Sequence, residues 1–185
     1  RVSMHGVRKE LVLARARALG IPLIEVMLPS TCPNYIYADI MHSAIAGISD
    51  NYDASQMAFG DLYLEDIRQY RESRLAETAM TPVFPLWDKP TRALAYEMIS
   101  AGQKAILSCV NTEMLGAAHA GLSFDEHFLA NLPAEVDPCG ENGEFHTFVV
   151  DGPDFHYPLS TFFESTVAQD GLVIADLRLA TDHSP

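Results

Sequence analysis

The chain has 185 residues, 48% of them hydrophobic, and a formal net charge of −13. That length holds one large domain or two small ones with a real core, and no apolar run approaches the roughly 18 residues a membrane span requires. The acidic balance argues against a protein whose main task is gripping nucleic acid, because phosphate contacts need clustered Lys and Arg. Basic residues do gather at Arg8 to Arg17 and Arg68 to Arg74, but both runs are interleaved with apolar residues or Glu and read as solvated helix faces. Cys32, Cys109 and Cys139 are odd in number and widely spaced, which predicts free thiols, a reducing compartment and hence the cytoplasm. The start shows no signal-peptide pattern. A chain opening on Arg1 rather than Met is expected to be trimmed or preceded by further sequence, with Met4 an alternative start.

In chain order, the spacing predicts a helix over Val7 to Leu19, with Val7, Leu11, Ala14 and Ala18 on one face. Gly20 ends it, and Ile21 to Leu28 is expected as a buried strand. A second helix runs from the punctuation at Pro29 to Asn34 as far as about Ile48, with the stripe Ile36, Ile40, Ala44 and Ile48 flanked by Tyr37, Met41 and Ile45. A short strand at Met57 to Gly60, a helix over Leu62 to Ala79 and a strand over Pro82 to Leu86 follow. This alternation is the signature of a parallel sheet covered by helices. Beyond Asp88 and Pro90 come a helix to about Ala101 and an apolar strand over Lys104 to Val110. A capping-box helix is expected from Ser123 to near Leu132. Strands are expected at Phe145 to Val150, Thr161 to Ala168 and Leu172 to Leu179, the last two joined at Gln169-Asp170-Gly171. The chain thus reads as α/β, with an α/β lobe over 1–82 and a smaller α+β lobe over 83–185.

The densest chemistry lies in Asp137-Pro138-Cys139-Gly140-Glu141-Asn142-Gly143-Glu144-Phe145-His146-Thr147-Phe148. Glycines let backbone NH groups converge on a ligand. Strand alternation places Glu144 and His146 together, with Phe145 and Thr147 on the other face. That makes an acid/base pair at the mouth of a pocket; the alternative is an ordinary polar turn with a core-facing His. A second constellation, Phe59-Gly60-Asp61 running into Leu64 to Arg71, sits where a strand gives way to a helix. Carboxyl ends of strands are where ligands bind in such sheets, while Asp61 also suits a plain helix cap or ion pairing. The histidines and cysteines lack metal-site spacing, so no metal centre is expected; Glu141 and Glu144 could at most hold a Mg²⁺ bridged to phosphates.

Four segments in order resemble the diphthine–ammonia ligase family, also described as the diphthamide-synthase-domain group of ATP-binding proteins. They are Met4-His5-Gly6-Val7-Arg8, Phe59 to Arg71, Phe84-Pro85-Leu86-Trp87, and Asp137 to Val149 with Asp151-Gly152-Pro153. The resemblance implies a first lobe of the PP-loop, adenine-nucleotide-alpha-hydrolase (HUP-like, Rossmann-like) type and a second lobe completing the substrate site. It implies an ATP-dependent ligase that adenylates a carboxylate, releases pyrophosphate, and lets ammonia displace AMP to leave an amide, with Mg²⁺ accompanying ATP. The implied substrate is diphthine on elongation factor 2, with neither membrane nor nucleic acid as partner. His5, Gly60 and Asp61 would lie at the nucleotide; Glu141, Glu144 and His146 would carry the acid/base chemistry; Gly140, Asn142, Gly143 and Thr147 would bind substrate. The family's Ser-Gly-Gly-Lys-Asp-Ser-type phosphate loop is not in this sequence, so the resemblance implies an α/β lobe incomplete at its N-terminus. The expectation is an upstream segment that carries the loop; the alternative is a non-catalytic nucleotide-binding or regulatory module. A tRNA-acting enzyme of the PP-loop type is disfavoured by the acidic charge.

Overall fold

The computed structural model describes residues 6–29 and 31–180. They form two compact units, one within 24–89 and the other joining 6–23 to 90–180.

In the unit over 24–89, helix α2 (Asn34–Tyr52) and helix α3 (Glu65–Leu75) accompany two short strands, β1 (Gln56–Ala58) and β2 (Thr81–Val83). The strands pair in parallel, Gln56 against Thr81 and Ala58 against Val83. Parallel neighbours need a crossover, and α3 supplies it. Pro82 removes one ladder donor, which only a strand at the margin of a sheet tolerates. The core is small: Ile45, Leu75 and Met80, with Ile48, Ala54, Met57 and Phe59 packed on it. On α2 the deepest residue is therefore Ile45, from the flank of the expected stripe. Helix α3 is shorter at both ends than the expected Leu62 to Ala79.

The expected strand over Ile21 to Leu28 does not form. Ile21 is 56% exposed and Met27 74%. An apolar run becomes a strand only if a neighbour takes up its backbone groups, and among the described residues none pairs with it.

The other unit is built on a five-stranded sheet, antiparallel throughout. Its middle strand is β3 (Lys104–Asn111). One edge of β3 is taken by β5 (Phe145–Asp151), and the other is shared by β4 (Ser123–Phe124) and β7 (Leu172–Leu179). Strand β6 (Thr161–Gln169) completes the sheet beside β7. The β6–β7 turn is Asp170-Gly171, with φ of 49° and 79°. Two successive left-handed residues give the hairpin turn whose twist matches the strands.

Leu107, Val110, Phe124, Phe128, Phe145, Phe148, Val173 and Leu177 fill the core of this unit. Helix α4 (Thr91–Ser100) contributes Ala95, and α5 (Glu126–Ala130) contributes Phe128 and Leu129. The cap of α5 is Asp125, which accepts from the Phe128 NH at 2.9 Å, rather than Ser123 of the expected capping box; Ser123 lies in β4. A single 3₁₀ turn at Ala117–His119 had no counterpart in the periodicity.

Helix α1 (Lys9–Ala18) belongs to this unit, whereas a division at residue 82 would place it in the other lobe. Its buried face, Leu11 and Ala18 with Val7 ahead of them, joins the same core as Leu107 and Phe148. The Arg8 guanidinium grips the nearly buried Asp176 carboxylate on β7 at 2.7 and 2.6 Å. The far end is held by the His156 NH, which donates to the Ala18 carbonyl at 2.7 Å.

Candidate functional site

The loop over 137–144 closes as two linked turns. The Gly140 NH donates to the Asp137 carbonyl at 2.9 Å, and the Gly143 NH to the Gly140 carbonyl at 3.1 Å. Gly140 has φ +71°, and a Cβ there would lie 2.6 Å from the Phe145 carbonyl oxygen, so nothing larger fits.

Two carboxylates collect the donors that remain. Asp137 Oδ1 accepts from the NH groups of Cys139 at 2.8 Å and Glu141 at 3.3 Å. Glu144 Oε1 accepts from the Asp137 NH and from Asn142 Nδ2, each at 2.9 Å, while its Oε2 accepts from the Asn142 NH at 2.9 Å. Glu144 has no solvent exposure. Burying a carboxylate is costly unless donors replace its water, and three of them, including two backbone NH groups, do so here.

This geometry changes the reading of the glycines. Every NH from Cys139 to Gly143 has a partner inside the loop, so the loop is not an open cradle for a phosphate. Its anion is built in. Nor can Glu144 reach a metal bridged to a phosphate while the loop keeps this shape, since both oxygens are occupied and shielded. Among the described residues, no group of three or more His, Cys, Asp or Glu side chains could hold a metal ion.

The loop is pinned to its surroundings at two points. The Asn111 NH, at the end of β3, donates to the Glu144 carbonyl at 2.9 Å. The Cys139 thiol donates to the Thr91 carbonyl at the start of α4 at 3.2 Å. Burial, aided by the Asp137 and Glu141 charges, pushes that thiol up to about 12, so it stays protonated and unreactive. No sequence signal pointed to the Thr91 contact.

Glu141, Gly143, His146 and Thr147 are half-buried and Asn142 is exposed. The expected alternation does not run cleanly, because Phe145 and Phe148, three apart, both enter the core. A bulge at Ser108 on β3 shifts the pairing there: Leu107 faces Thr147, Cys109 faces His146, and the Ser108 hydroxyl donates to the His146 carbonyl at 3.2 Å. Glu144 and His146 therefore differ in kind. The first is sealed inside the loop and the second is partly open.

Gly60 and Asp61 lie in the unit over 24–89, just past β1. Asp61 does not cap α3; the cap position is Leu64, and Asp61 instead pairs with Arg71 Nε at 3.4 Å. Arg71 lies over the Phe59 ring, Phe59 stacks on Phe84 at 5.5 Å, and Arg68 lies 4.9 Å from the Phe84 ring and 4.7 Å from that of Trp87. The Phe59-to-Arg71 and Phe84-to-Trp87 segments, separate in sequence, thus form one aromatic–guanidinium cluster beyond the carboxyl ends of β1 and β2. A cavity of about 380 Å³ in this unit, lined by Tyr37, Met41, Ile45, Phe59, Arg71 and Arg74 among others, was not foreseen. His5 lies outside the described residues.

Comparison with known proteins finds a counterpart of the loop. Residues 90–166 match the diphthamide synthase C-terminal domain, and the match contains the whole loop and β5. A diphthine–ammonia ligase of Danio rerio is 28% identical over 158 residues, covering 76% of this chain. The chain is thus similar to diphthine–ammonia ligases over most of its length, and to the diphthamide synthase C-terminal domain over the segment that holds the loop. It spans 60% of the length of that curated relative. The domain match lies entirely within the unit that carries the antiparallel sheet.

Proposed function

We propose that the chain serves an ATP-dependent, amide-forming ligase of diphthamide synthesis. The observation that carries the reading is the self-bonded loop over 137–144, with its buried Glu144, inside the matched domain. ATP would supply the activation, transferring AMP to a substrate carboxylate with release of pyrophosphate. The glycine-rich loop does not fit the phosphates, because its NH groups are occupied, and no step is routed through nucleotide there. The nucleotide, with Mg²⁺, is assigned to the unit that carries Gly60 and Asp61, where the backbone at Gly60 is open.

The roles left to the loop concern the second half of the reaction. Ammonium must lose a proton before its lone pair can attack the acyl carbon and expel AMP. Glu141 and His146, both partly open, are the groups suited to take that proton. Glu144 acts by holding Asn142 and the Asp137 turn in place, while Gly140, Gly143 and Thr147 shape the wall beside the substrate. The substrate is diphthine on elongation factor 2, and the setting is the cytoplasm.

The test is amide and AMP formation by the full-length protein with diphthine-bearing elongation factor 2, ATP and ammonium. Glu141→Gln and His146→Ala should each lower turnover by about 10²–10⁴-fold with the fold intact. Turnover at the wild-type rate in both variants would remove the loop from the chemistry.

A further inference from the structure

Strand β6 ends the sheet: β7 pairs with one edge, and among the described residues no strand pairs with the other. Every residue from Phe162 to Gln169 is exposed, with Phe162, Phe163 and Val167 at 47%, 49% and 42%. Exposed edges invite another strand, and proteins blunt them with Lys, Pro or short length. Nine residues make a strand about 30 Å long, and β6 contains neither Lys nor Pro. The blunting device it does carry is a bulge at Glu164, and that leaves Ser165 to Gln169 in continuous register with β7.

Charge and sequence order indicate what could add to this edge. From Phe155 to Gln169 the only Asp, Glu, Lys or Arg is Glu164, and it is already paired with Arg178. In a chain of net charge −13, two copies repel over most of their surface, but not along this edge. Folded back on itself about Ser165, the strand is also self-complementary. Phe163 meets Val167, Phe162 meets Ala168, and Glu164 meets Thr166 rather than another carboxylate. Apolar cross-strand pairs stabilise and like charges opposite each other do not.

We infer that β6 pairs antiparallel with β6 of a second copy, about a twofold axis at Ser165, continuing the sheet across both chains. Such a contact is isologous, so each apolar pair occurs twice and the assembly stops at two. The partner of this edge is the chain itself.

Sedimentation equilibrium over a concentration series tests the pairing, together with a cysteine scan. The wild type should dimerise, and Val167→Lys should weaken the dimer by about tenfold or more. Ser165→Cys, on the axis, should link the two copies under mild oxidation, because opposed Cα atoms in an antiparallel pair stand about 4.5–5.5 Å apart, within reach of a disulfide. Gln169→Cys, opposite Thr161, should not. A wild type that stays monomeric, or a dimer indifferent to Val167→Lys and unlinked through Ser165→Cys, would overturn the inference. Because the linking experiment needs only a near-isosteric change, it decides the question even if the lysine variant folds poorly. Its outcome is also independent of whether the protein makes amides.

Discussion

At Glu144 both carboxylate oxygens face donors, so any orientation of a glutamine amide would set an NH₂ group against an NH. Glu144→Gln should therefore destabilise the fold by about 1–3 kcal/mol, the cost of leaving buried groups unsatisfied, and a thermal melt will show it. A melting midpoint equal to wild type would mean that the carboxylate is not what holds the loop. Cys139 allows a pH prediction. Its thiol pKa in the folded chain lies near 12 against an ordinary 9.0, so the folded state holds the proton more tightly. The corresponding stability is fully present below about pH 9 and is lost as the pH rises toward 12. Alkylation in mildly alkaline buffer, read by mass spectrometry, should accordingly spare Cys139 while the fold persists. Rapid labelling there would contradict its burial.

Among the elements, periodicity located most helices and strands to within a few residues, because amphipathic spacing is written along the chain. The β6–β7 hairpin was legible from its turn residues alone, and Gly171 at φ +79° is the position to test. Gly171→Val should cost about 1–2 kcal/mol by forcing a branched side chain into the left-handed region, measurable by denaturant titration. What periodicity could not supply was partnership. Ile21 to Leu28 is apolar enough for a buried strand, yet being a strand depends on a neighbour that no local pattern records. The same limit hid the placement of α1, fixed by Arg8 reaching Asp176, 168 positions away. The glycines marked the loop, but carboxylates are so seldom fully buried that Glu144 reads as an acid at the mouth of a pocket. Donors arriving from seven residues upstream, at Asp137, reverse that expectation.

For the whole molecule, the two units differ in how much core they own. The unit over 24–89 rests on Ile45, Leu75 and Met80, whereas the other packs buried aromatic residues from three elements around β3. Local opening free energies follow buried apolar contact. Amide hydrogen exchange should therefore be faster in β1, β2 and α3 than in β3, β5 and β7, and mass spectrometry of peptic fragments will resolve them. Equal protection in the two groups would show that the smaller core is supported in some way its buried residues do not reveal.

The internal bonding of the loop over 137–144 also bears on the entropy of recognition. A loop that orders only around its ligand gives up conformational freedom at the moment of binding, and affinity falls by that amount. Here the turns at Gly140 and Gly143 and the donors gathered on Asp137 and Glu144 fix the backbone when the chain folds. Glu141 and His146, the side chains proposed to meet the substrate, thus stand on a frame already fixed. A ligand meeting them loses its own freedom and asks little more of the protein.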